Sequence, residues 1–315
     1  MREMKKTFTP PRDIAIGILG NAAKLSTCET AFELIKIFGE RGIRYIVEED
    51  LAAQIKQKCG HDAGRASVPR EEVPAGADVV LSLGGDGTIL QTAATVGTAG
   101  KPILGVNLGK LGFLAELNLD ELRNSIDELF KGKFNLEERT VLEANFLQNG
   151  EATKIFALND IVIDKAGSSR MIDLETYVDS DYLITYRGDG IVLSTPTGST
   201  GYCLSTGGPI ISPESRVIAI SPISPHTLSA RPVIIPDTSR IRVVAHSTYK
   251  HVMITADGQA ARMLPQPVEF NVSLASHKIV LLRKRKNGYF NLLRTKLMWG
   301  LDIRTSETSF GEESI

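Results

Sequence analysis

The stretch Leu81-Ser-Leu-Gly-Gly-Asp-Gly-Thr-Ile-Leu90 decides the fold of the first half of the chain. Residues 78–83 (DVVLSL) form a short apolar run, and the residues after the glycines (ILQTAATV) have helical spacing, so the pattern predicts strand, tight turn and helix. Glycines let a ligand approach the backbone closely, and the unpaired N–H groups at a helix start favour a phosphate. The alternative is purely structural: glycine ends one element and Asp86 caps the next.

Asp86 is an unusual residue for a simple anion site, because a carboxylate repels phosphates. It therefore needs another task. One such task is to accept a proton from an attacking hydroxyl group, and the other is to hold a metal ion. Both tasks occur in phosphoryl transfer, and the purely structural alternative stays open for this stretch alone.

The composition limits the classes of protein that fit. The chain has 315 residues, and its 36 basic and 37 acidic side chains leave a net charge of −1, which provides no whole-chain attraction to nucleic acid or to an anionic membrane. Three cysteines (Cys28, Cys59, Cys203) are widely spaced, which argues for a reducing compartment and against a zinc site. No run approaches the ~20 apolar residues of a transmembrane helix. We predict a globular, cytoplasmic protein of one or two domains.

Strands and helices are predicted to alternate through residues 1–138. Apolar runs predict strands at 13–19, 43–47, 78–83 and 102–106, and amphipathic spacing predicts helices at 27–40, 50–58 and 120–130. Residues 59–77 are rich in polar residues, glycine and proline, and are predicted to be a loop. The alternation predicts a doubly wound, Rossmann-like parallel sheet with helices on both faces.

The pattern changes near residue 139. Short alternating runs, from VLEANFLQ (141–148) and KIFALNDIVID (154–164) to PVEFNVS (267–273) and KIVLLRK (278–284), predict an all-β domain over residues 139–288. Residues 289–315 are expected to return to the first domain through a short helix, with Trp299 packed against the body of the protein. The functional site is expected in the cleft between the two domains.

A second cluster occupies residues 187–210 (RGDGIVLSTPTGSTGYCLSTGGPI). Its density of small hydroxyl residues and glycines contributes little to a core, whereas hydroxyls and close backbone N–H groups suit sugar hydroxyls and a pyrophosphate. The hydroxyl groups expected to face a ligand are those of Thr195, Thr197, Ser199, Thr200 and Ser205. The alternative is a hydroxyl-rich turn between two strands.

These motifs together resemble the NAD kinases. The resemblance rests on GGDGT (84–88), NLGKLGFL (107–114), ND (159–160), DGIVLSTPTGSTGYCLSTGGPI (189–210), SPHTLSARP (224–232) and FNLLRTKLMWG (290–300). It implies transfer of the terminal phosphate of ATP to the 2′-hydroxyl of the adenosine ribose of NAD, giving NADP. Three residues depart from the usual family pattern: Gly201 in place of Ala, Asp160 in place of Glu, and Lys110 in place of His or Asn.

The resemblance implies roles for the residues around the first glycine-rich turn. Asp86 matches the family's catalytic aspartate and would accept the proton of the 2′-hydroxyl. The phosphates of ATP would contact Gly84, Gly85, Gly87 and Thr88. A divalent cation, Mg²⁺ by expectation, would bridge the phosphate oxygens, and the sequence names no protein ligand for it.

The resemblance also implies a dinucleotide site. Asn159 and Asp160 would contact the adenosine, with a local Asx turn as the structural alternative. The remaining residues matched to dinucleotide contacts are Phe113, Arg170, Arg187, Asp189, Thr200, Gly201, Tyr202, Cys203, Leu204, Ser205 and Gln259. Phe113 is equally a candidate core residue and Arg170 a candidate surface charge. Arg187 predicts a preference for NAD over NADH, and neighbouring Asp257 and Gly258 are predicted to form only a β-turn.

Two other functions compete with this prediction. One is a kinase with a GGDG turn that acts on a lipid or sugar hydroxyl, and the other is a dinucleotide sensor without turnover. The intact acid at position 86 argues against the sensor. A homodimer or homotetramer is expected, since related enzymes often complete the NAD pocket with a neighbouring subunit.

Overall fold

The structure, a computed structural model, describes residues 6–109, 112–118, 121–246, 251–284 and 288–299, so Lys110 lies outside the described residues. The strands are β1 (Ala15–Gly20), β2 (Arg44–Glu48), β3 (Ser67–Val68), β4 (Val79–Leu83), β5 (Ile103–Asn107), β6 (Leu117–Asn118), β7 (Phe134–Gln148), β8 (Glu151–Ala157), β9 (Asp160–Asp164), β10 (Ile172–Val178), β11 (Asp181–Gly188), β12 (Gly190–Ser194), β13 (Val217–Ile223), β14 (Val233–Pro236), β15 (Ile241–His246), β16 (His251–Ala256), β17 (Gln259–Pro265) and β18 (Val268–Lys284). The helices are α1 (Leu25–Glu40), α2 (Glu49–Cys59), α3 (Val73–Gly76), α4 (Asp86–Val96), α5 (Leu122–Phe130), α6 (Tyr202–Ser205) and α7 (Tyr289–Leu297).

The first half forms a parallel sheet with the strand order β3-β2-β1-β4-β5. Every residue of β1, β4 and β5 is buried, as expected for strands covered on both faces. One face packs against α1, α2 and α5, and the other packs against α3 and α4. The predicted doubly wound α/β fold is therefore confirmed. In this strand order β2 and β3 lie on one side of β1, whereas β4 and β5 lie on the other. The strand order therefore reverses between β1 and β4, and in such folds ligands bind beside the carboxyl ends of the strands at the point of reversal.

The second half is built from antiparallel strands in two packed sheets. The first sheet continues past β5 through β18, β15, β10 and β11, and the second has the order β14-β13-β12-β9-β16-β17. A buried apolar core that includes Leu142, Ile161, Leu193, Val243 and Phe270 lies between the sheets. This arrangement confirms the predicted all-β second half.

Two long strands connect the halves. β18 pairs with β15 near its start and with β5 at Leu281, and β7 runs beside it in the antiparallel direction. The predicted boundary at 138/139 falls within β7, and the division into 1–138 and 139–288 stays a prediction. The predicted runs 267–273 and 278–284 form one strand, with a register irregularity between Leu274 and Lys278.

Other differences from the sequence-based prediction are local. The predicted loop 59–77 contains β3 and α3. Helix α7 buries Leu293, but Trp299 is 54% exposed, so the expectation that Trp299 packs against the body is wrong. Among the described residues, no helix has the length and apolar character needed to cross a membrane.

Candidate active site

Asp86 is the first residue of α4, directly after the glycine turn that follows β4. Its carboxylate accepts two backbone hydrogen bonds, from Phe113 N at 2.7 Å and from Leu114 N at 3.0 Å. A Cβ atom on Gly112 would overlap this carboxylate, so glycine is required there for the close approach. The carboxylate is thereby fixed in one orientation beside the N-terminus of a helix.

A buried ion pair supports the loop that holds Asp86. Arg283, near the end of β18, donates to Phe113 O at 2.9 Å and to Ala115 O at 3.3 Å. Its guanidinium also pairs with Glu116 at 3.0 Å, and Glu116 accepts from Lys284 N at 2.9 Å. The exposed fractions of the two side chains are only 12% and 4%. Because a buried pair holds one geometry, Arg283 fixes the backbone from which Asp86 receives its hydrogen bonds.

Apolar residues next to three of the predicted motifs share one core. Ile89 and Leu90 of α4, Leu114 and Leu158 belong to one buried cluster. Leu114 follows Phe113, and Leu158 precedes the Asn159–Asp160 pair. The GGDG turn, the 112–115 loop and the pair at 159–160 are therefore attached to the same buried cluster, although they are far apart in sequence.

Asn159 and Asp160 lie where the chain passes from β8 to β9. The Asp257 carboxylate accepts from Leu158 N at 2.8 Å, from Asn159 N at 2.7 Å and from Asp160 N at 3.1 Å. The side-chain oxygen of Asn159 is buried and has no hydrogen-bond partner among the described residues. An oxygen of this kind is the expected feature of a ligand site, because burying an unpaired acceptor is costly.

Asp160 is 5% exposed, and its surroundings disfavour the ionised form of its carboxyl group. Burial, followed by the negative charge of Asp257, raises the pKa of Asp160 from 3.8 to about 7, while Tyr202 N donates a hydrogen bond that opposes the rise. Burial raises the pKa of Asp257 as well, against the three N–H groups that it accepts from. Two carboxyl groups thus share one buried region of the site.

The second cluster folds over the Asn159 backbone. Thr195 N donates to Asn159 O at 2.9 Å, and a Cβ atom on Gly198 would overlap the same carbonyl, so the two segments touch. Thr195 and Ser199 are fully buried, and their hydroxyl groups donate to Leu158 O at 2.6 Å and Pro196 O at 2.7 Å. The expectation that these two hydroxyls face a ligand is wrong, because both are used to hold the loop.

Thr197 is also buried, and its hydroxyl accepts from Arg139 at 3.3 Å instead of facing a ligand. Arg139 is 4% exposed and pairs with Glu137. Burial, and then the charge of Arg283, lower the pKa of Arg139 to about 10, and Glu137 opposes this. Arg139 therefore links the 197–200 turn to β7 and lies electrostatically close to Arg283, which supports the Asp86 loop.

The other predicted dinucleotide residues of this region lie nearby. A Cβ on Gly201 would lie 3.5 Å from Asn159 Nδ2 and 3.6 Å from Asp160 Oδ2, which places the turn against the polar pair. Thr200 and Leu204 are half-buried, Ser205 is exposed and Tyr202 is 44% exposed. Gln259 is half-buried and begins β17, directly after the Asp257–Gly258 turn. Phe113 is half-buried, with the Lys296 ammonium of α7 at 5.9 Å from its ring centre.

Cys203 departs from this pattern. Its side chain is fully buried among apolar residues that include Val162, Val192 and Ala219. Burial and the nearby Asp160 raise the pKa of the thiol to about 11. A contact with a dinucleotide is therefore left to its backbone, and the thiol is a core group.

Three predicted residues lie elsewhere in the chain. Asp189 pairs with Lys165 at 2.7 Å, and Arg187 pairs with Asp173 at 3.2 Å. Arg170 is exposed on the loop between β9 and β10. Lys165 follows the end of β9, whereas Asp160 begins it, and four residue steps separate the two ends by roughly 13 Å. The structure does not bring these three residues to Asn159 and Asp160 within one chain.

Three residues that support the site escaped the sequence-based prediction. Arg139 and Arg283 lie in alternating strand sequences, where a charged residue ordinarily faces solvent, and nothing in the sequence marks them as buried. Asp257 lies before a glycine, which correctly predicts a turn. Its carboxylate contacts residues about 100 positions away, and turn chemistry contains no signal of such a contact.

Two family models match the chain. The ATP-NAD kinase N-terminal domain matches residues 16–134, and the ATP-NAD kinase C-terminal domain matches residues 158–284. The chain is 41% identical over 285 residues to an NAD kinase of Moorella thermoacetica, covering 90% of this chain and 89% of that protein. It is 42% identical over 272 residues to an NAD kinase of Geobacter sp. (strain M21), covering 86% and 93%.

Solved structures of NAD and NADH kinases have a similar fold. The crystal structure of yeast NADH kinase complexed with NADH superposes with a TM-score of 0.84 at 27% identity, covering 98% of this chain and 96% of that one. An NAD kinase from Archaeoglobus fulgidus in complex with ATP has a TM-score of 0.71 at 21% identity, covering 90% and 99%, a likeness of fold alone.

Proposed function

The chain belongs to the NAD kinase family, and from that premise we propose how its residues divide the work of the reaction. The enzyme is an ATP-dependent NAD kinase, which transfers the γ-phosphate of ATP to the 2′-hydroxyl of the adenosine ribose of NAD and gives NADP. The resemblance inferred from the sequence motifs is thereby confirmed. The two alternative functions, a lipid or sugar kinase and a dinucleotide sensor without turnover, are not supported, because the relatives are NAD kinases.

Asp86 is the general base in this proposal. The observation that carries it is the pair of N–H groups from Phe113 and Leu114 that fixes the carboxylate. Each carboxylate oxygen keeps a further lone pair, so the group remains able to accept the proton of the 2′-hydroxyl while that oxygen attacks phosphorus. Phosphoryl transfer depends mainly on alignment, and a fixed carboxylate provides it on the acceptor side.

The donor phosphates are assigned to the start of α4. The first turn of a helix has N–H groups without intrahelical partners, and here Gly85 is the N-cap and Gly87 lies in the first turn. Gly84 N donates to Val106 O and Thr88 N to Gly85 O, so Gly84 would allow close approach of the phosphates and Thr88 would contact them through its hydroxyl. Side chains are small at these positions, so a triphosphate reaches the backbone directly.

The divalent cation is proposed to enter with the nucleotide. Among the described residues, no three His, Cys, Asp or Glu side chains converge on one point, so the protein alone offers no complete ligand set. Phosphate oxygens are hard ligands that suit Mg²⁺, which makes the metal–ATP complex the substrate that fits this site.

The adenosine of NAD is assigned to Asn159 and Asp160. The unpaired side-chain oxygen of Asn159 supports this assignment, since an adenine amino group would satisfy it. The ligand surface beside this pair is assigned to Phe113, Thr200, Gly201, Tyr202, Leu204, Ser205 and Gln259, with the backbone of Cys203.

The remaining dinucleotide contacts are proposed to come from a second copy of the chain. Arg170, Arg187 and Asp189 lie at the far end of β9 from Asp160, so they suit the site of a neighbouring subunit in a homodimer or homotetramer. The preference for NAD over NADH that Arg187 suggests stays a prediction. The cytoplasmic location also stays a prediction, and the free thiols of the three cysteines support a reducing compartment.

The test of the base assignment is Asp86→Asn. We expect the variant to fold and to bind NAD with little change, while kcat for NADP formation falls by about 10²–10⁴, the range of general-base catalysis. A coupled NADP assay gives kcat, and calorimetry gives NAD affinity. Asp50→Asn is the matched control, because Asp50 is an exposed residue in the first turn of α2. Near-normal turnover in Asp86→Asn would remove the base assignment.

A further inference from the structure

The hairpin between β16 and β17 supports the dinucleotide site from behind. Its two-residue turn is Asp257–Gly258, with φ of +52° and +67°, as in the type I′ turn that fits the twist of a hairpin. Besides accepting from three N–H groups of residues 158–160, Asp257 donates its own N–H to Asp160 O at 2.9 Å. Four hydrogen bonds therefore join this turn to the Asn159–Asp160 segment.

These bonds replace sheet pairing at a break in the chain. The segment KIFALNDIVID, predicted as one strand, divides into β8 and β9, and Leu158 and Asn159 lie in the interval. Backbone N–H groups at such an interval need other acceptors when they are buried. Asp257 provides them, because an ionised carboxylate accepts several hydrogen bonds and donates none.

The form of the break decides where the side chains lie. The buried side-chain oxygen of Asn159 has no partner among the described residues, and Asp160 lies beside the Gly201 turn. A different backbone path at 158–160 would move both side chains together. We propose that Asp257 is a positioning residue of the dinucleotide site, which acts through the backbone of Asn159 and Asp160. This inference rests on the proposed function of that pair.

Asp257 also sets the charge around Asp160. The titratable groups that face Asp160 in the described part of the chain are Asp257 from the hairpin and the Cys203 thiol from α6. After burial, the Asp257 charge is the main cause of the raised pKa of Asp160. Removing that charge lowers the pKa of Asp160, so the pH at which Asp160 ionises reports on the contact.

The decisive variant is Asp257→Asn. Its amide keeps one acceptor oxygen and turns an NH₂ group towards backbone donors, so the segment loses hydrogen bonds. We expect KM for NAD to rise by about tenfold or more, as the loss of one buried hydrogen bond implies, with KM for ATP changed by less than about twofold. We also expect the midpoint of the pH profile of kcat/KM for NAD to move to lower pH.

Asp179→Asn is the matched control. Asp179 has φ of +55° in the hairpin between β10 and β11, and its exposed carboxylate accepts from Arg240 N at 2.9 Å. It has the same local chemistry away from the site, and we expect KM for NAD and the pH profile to stay unchanged. Asp257→Glu keeps the charge and displaces the oxygens, so it should raise KM for NAD without the shift in pH midpoint.

The outcomes separate this inference from the function on which it rests. If Asn159→Ala leaves KM for NAD unchanged, the assignment of the adenosine site fails. If Asn159→Ala raises KM for NAD and folded Asp257→Asn does not, only the positioning role fails. A parallel rise in KM for both substrates with an unmoved pH midpoint would reduce Asp257 to a general structural role. If Asp257→Asn does not fold, Asp257→Glu decides by its effect on KM for NAD.

Discussion

At the scale of single residues, Asp160 makes stability depend on pH. The pKa of Asp160 is about 7 in the folded protein, against an ordinary value of 3.8. The contribution of its protonated form to the free energy of unfolding is therefore complete below the pKa of the unfolded chain and is lost as pH rises through the pKa of the folded protein. We expect Asp160→Asn to remove this dependence. The melting temperature of the variant minus that of wild type should increase from about pH 4 to about pH 7 and stay constant above pH 8.

Calorimetric melting curves from pH 5 to pH 8 check this expectation. Asp62→Asn is the control, because Asp62 is exposed and its pair with Lys56 holds the pKa of the carboxyl group below its ordinary value of 3.8, so its difference from wild type should not change between pH 5 and pH 8. A difference between Asp160→Asn and wild type that is constant with pH would mean that Asp160 is ionised throughout.

The sequence marks the groups that we propose to act on substrate more clearly than the groups that hold them. Asp86, Asn159 and Asp160 are candidates because glycine turns and polar pairs at strand ends are visible in sequence. The hydroxyls of Thr195 and Ser199 were assigned to a ligand, whereas both donate to backbone carbonyls. The sequence does not distinguish a hydroxyl that binds substrate from one that holds a loop, because the two differ only in how far they are buried in the folded protein.

At the scale of elements, β18 supports the 112–115 loop that holds Asp86. Arg283→Lys keeps the charge but not the fork that reaches Phe113 O, Ala115 O and Glu116 together. We expect kcat to fall by about tenfold with KM for ATP and NAD little changed, because a loosened loop misaligns Asp86. Arg283→Ala should lower the free energy of unfolding by about 3–5 kcal/mol, since it removes one member of the buried ion pair with Glu116.

Steady-state kinetics and urea unfolding measure the two effects. Arg41→Lys at the end of α1 is the control, because its pair with Asp127 is exposed, and such pairs contribute less than about 1 kcal/mol. Unchanged kcat in Arg283→Lys would show that the loop keeps Asp86 aligned without the fork.

Most element boundaries in the first half follow the prediction closely, because amphipathic helices show a 3.6-residue period whereas the buried strands are short, continuous apolar runs. The strand boundaries of the second half are harder to predict from the sequence. The run predicted at 154–164 breaks at Leu158–Asn159, and the two runs predicted after residue 267 form the single strand β18. Both outcomes depend on partners distant in sequence, β16 with its turn in one case and β7 in the other.

At the scale of the whole molecule, β7 and β18 pair with strands of both halves, so we expect the halves to unfold as one cooperative unit. Leu281 is 2% exposed and pairs with Ile103 on one side and Glu137 on the other. We expect Leu281→Ala to lower the free energy of unfolding by about 2–5 kcal/mol and to destabilise both halves together. Native-state hydrogen exchange should show equal loss of protection in β1 and β12.

Leu147→Ala is the matched control, since the same truncation at a 64% exposed position of β7 should change stability by less than about 0.5 kcal/mol. Loss of protection confined to β1 and its neighbours would show that the halves unfold separately, and would favour the predicted division near residue 138.

The position of β18 has a consequence for biosynthesis. It is the last strand that the structure describes, yet it lies inside the sheet between β15 and β5. Translation at about 5–20 residues per second delivers β18 on the order of ten seconds or more after β5. During that interval the nascent polypeptide presents an open β edge beside Ile103, a template for pairing with the wrong chain. The growing chain on the ribosome, more than the mature enzyme, is therefore the form that a chaperone has to shield.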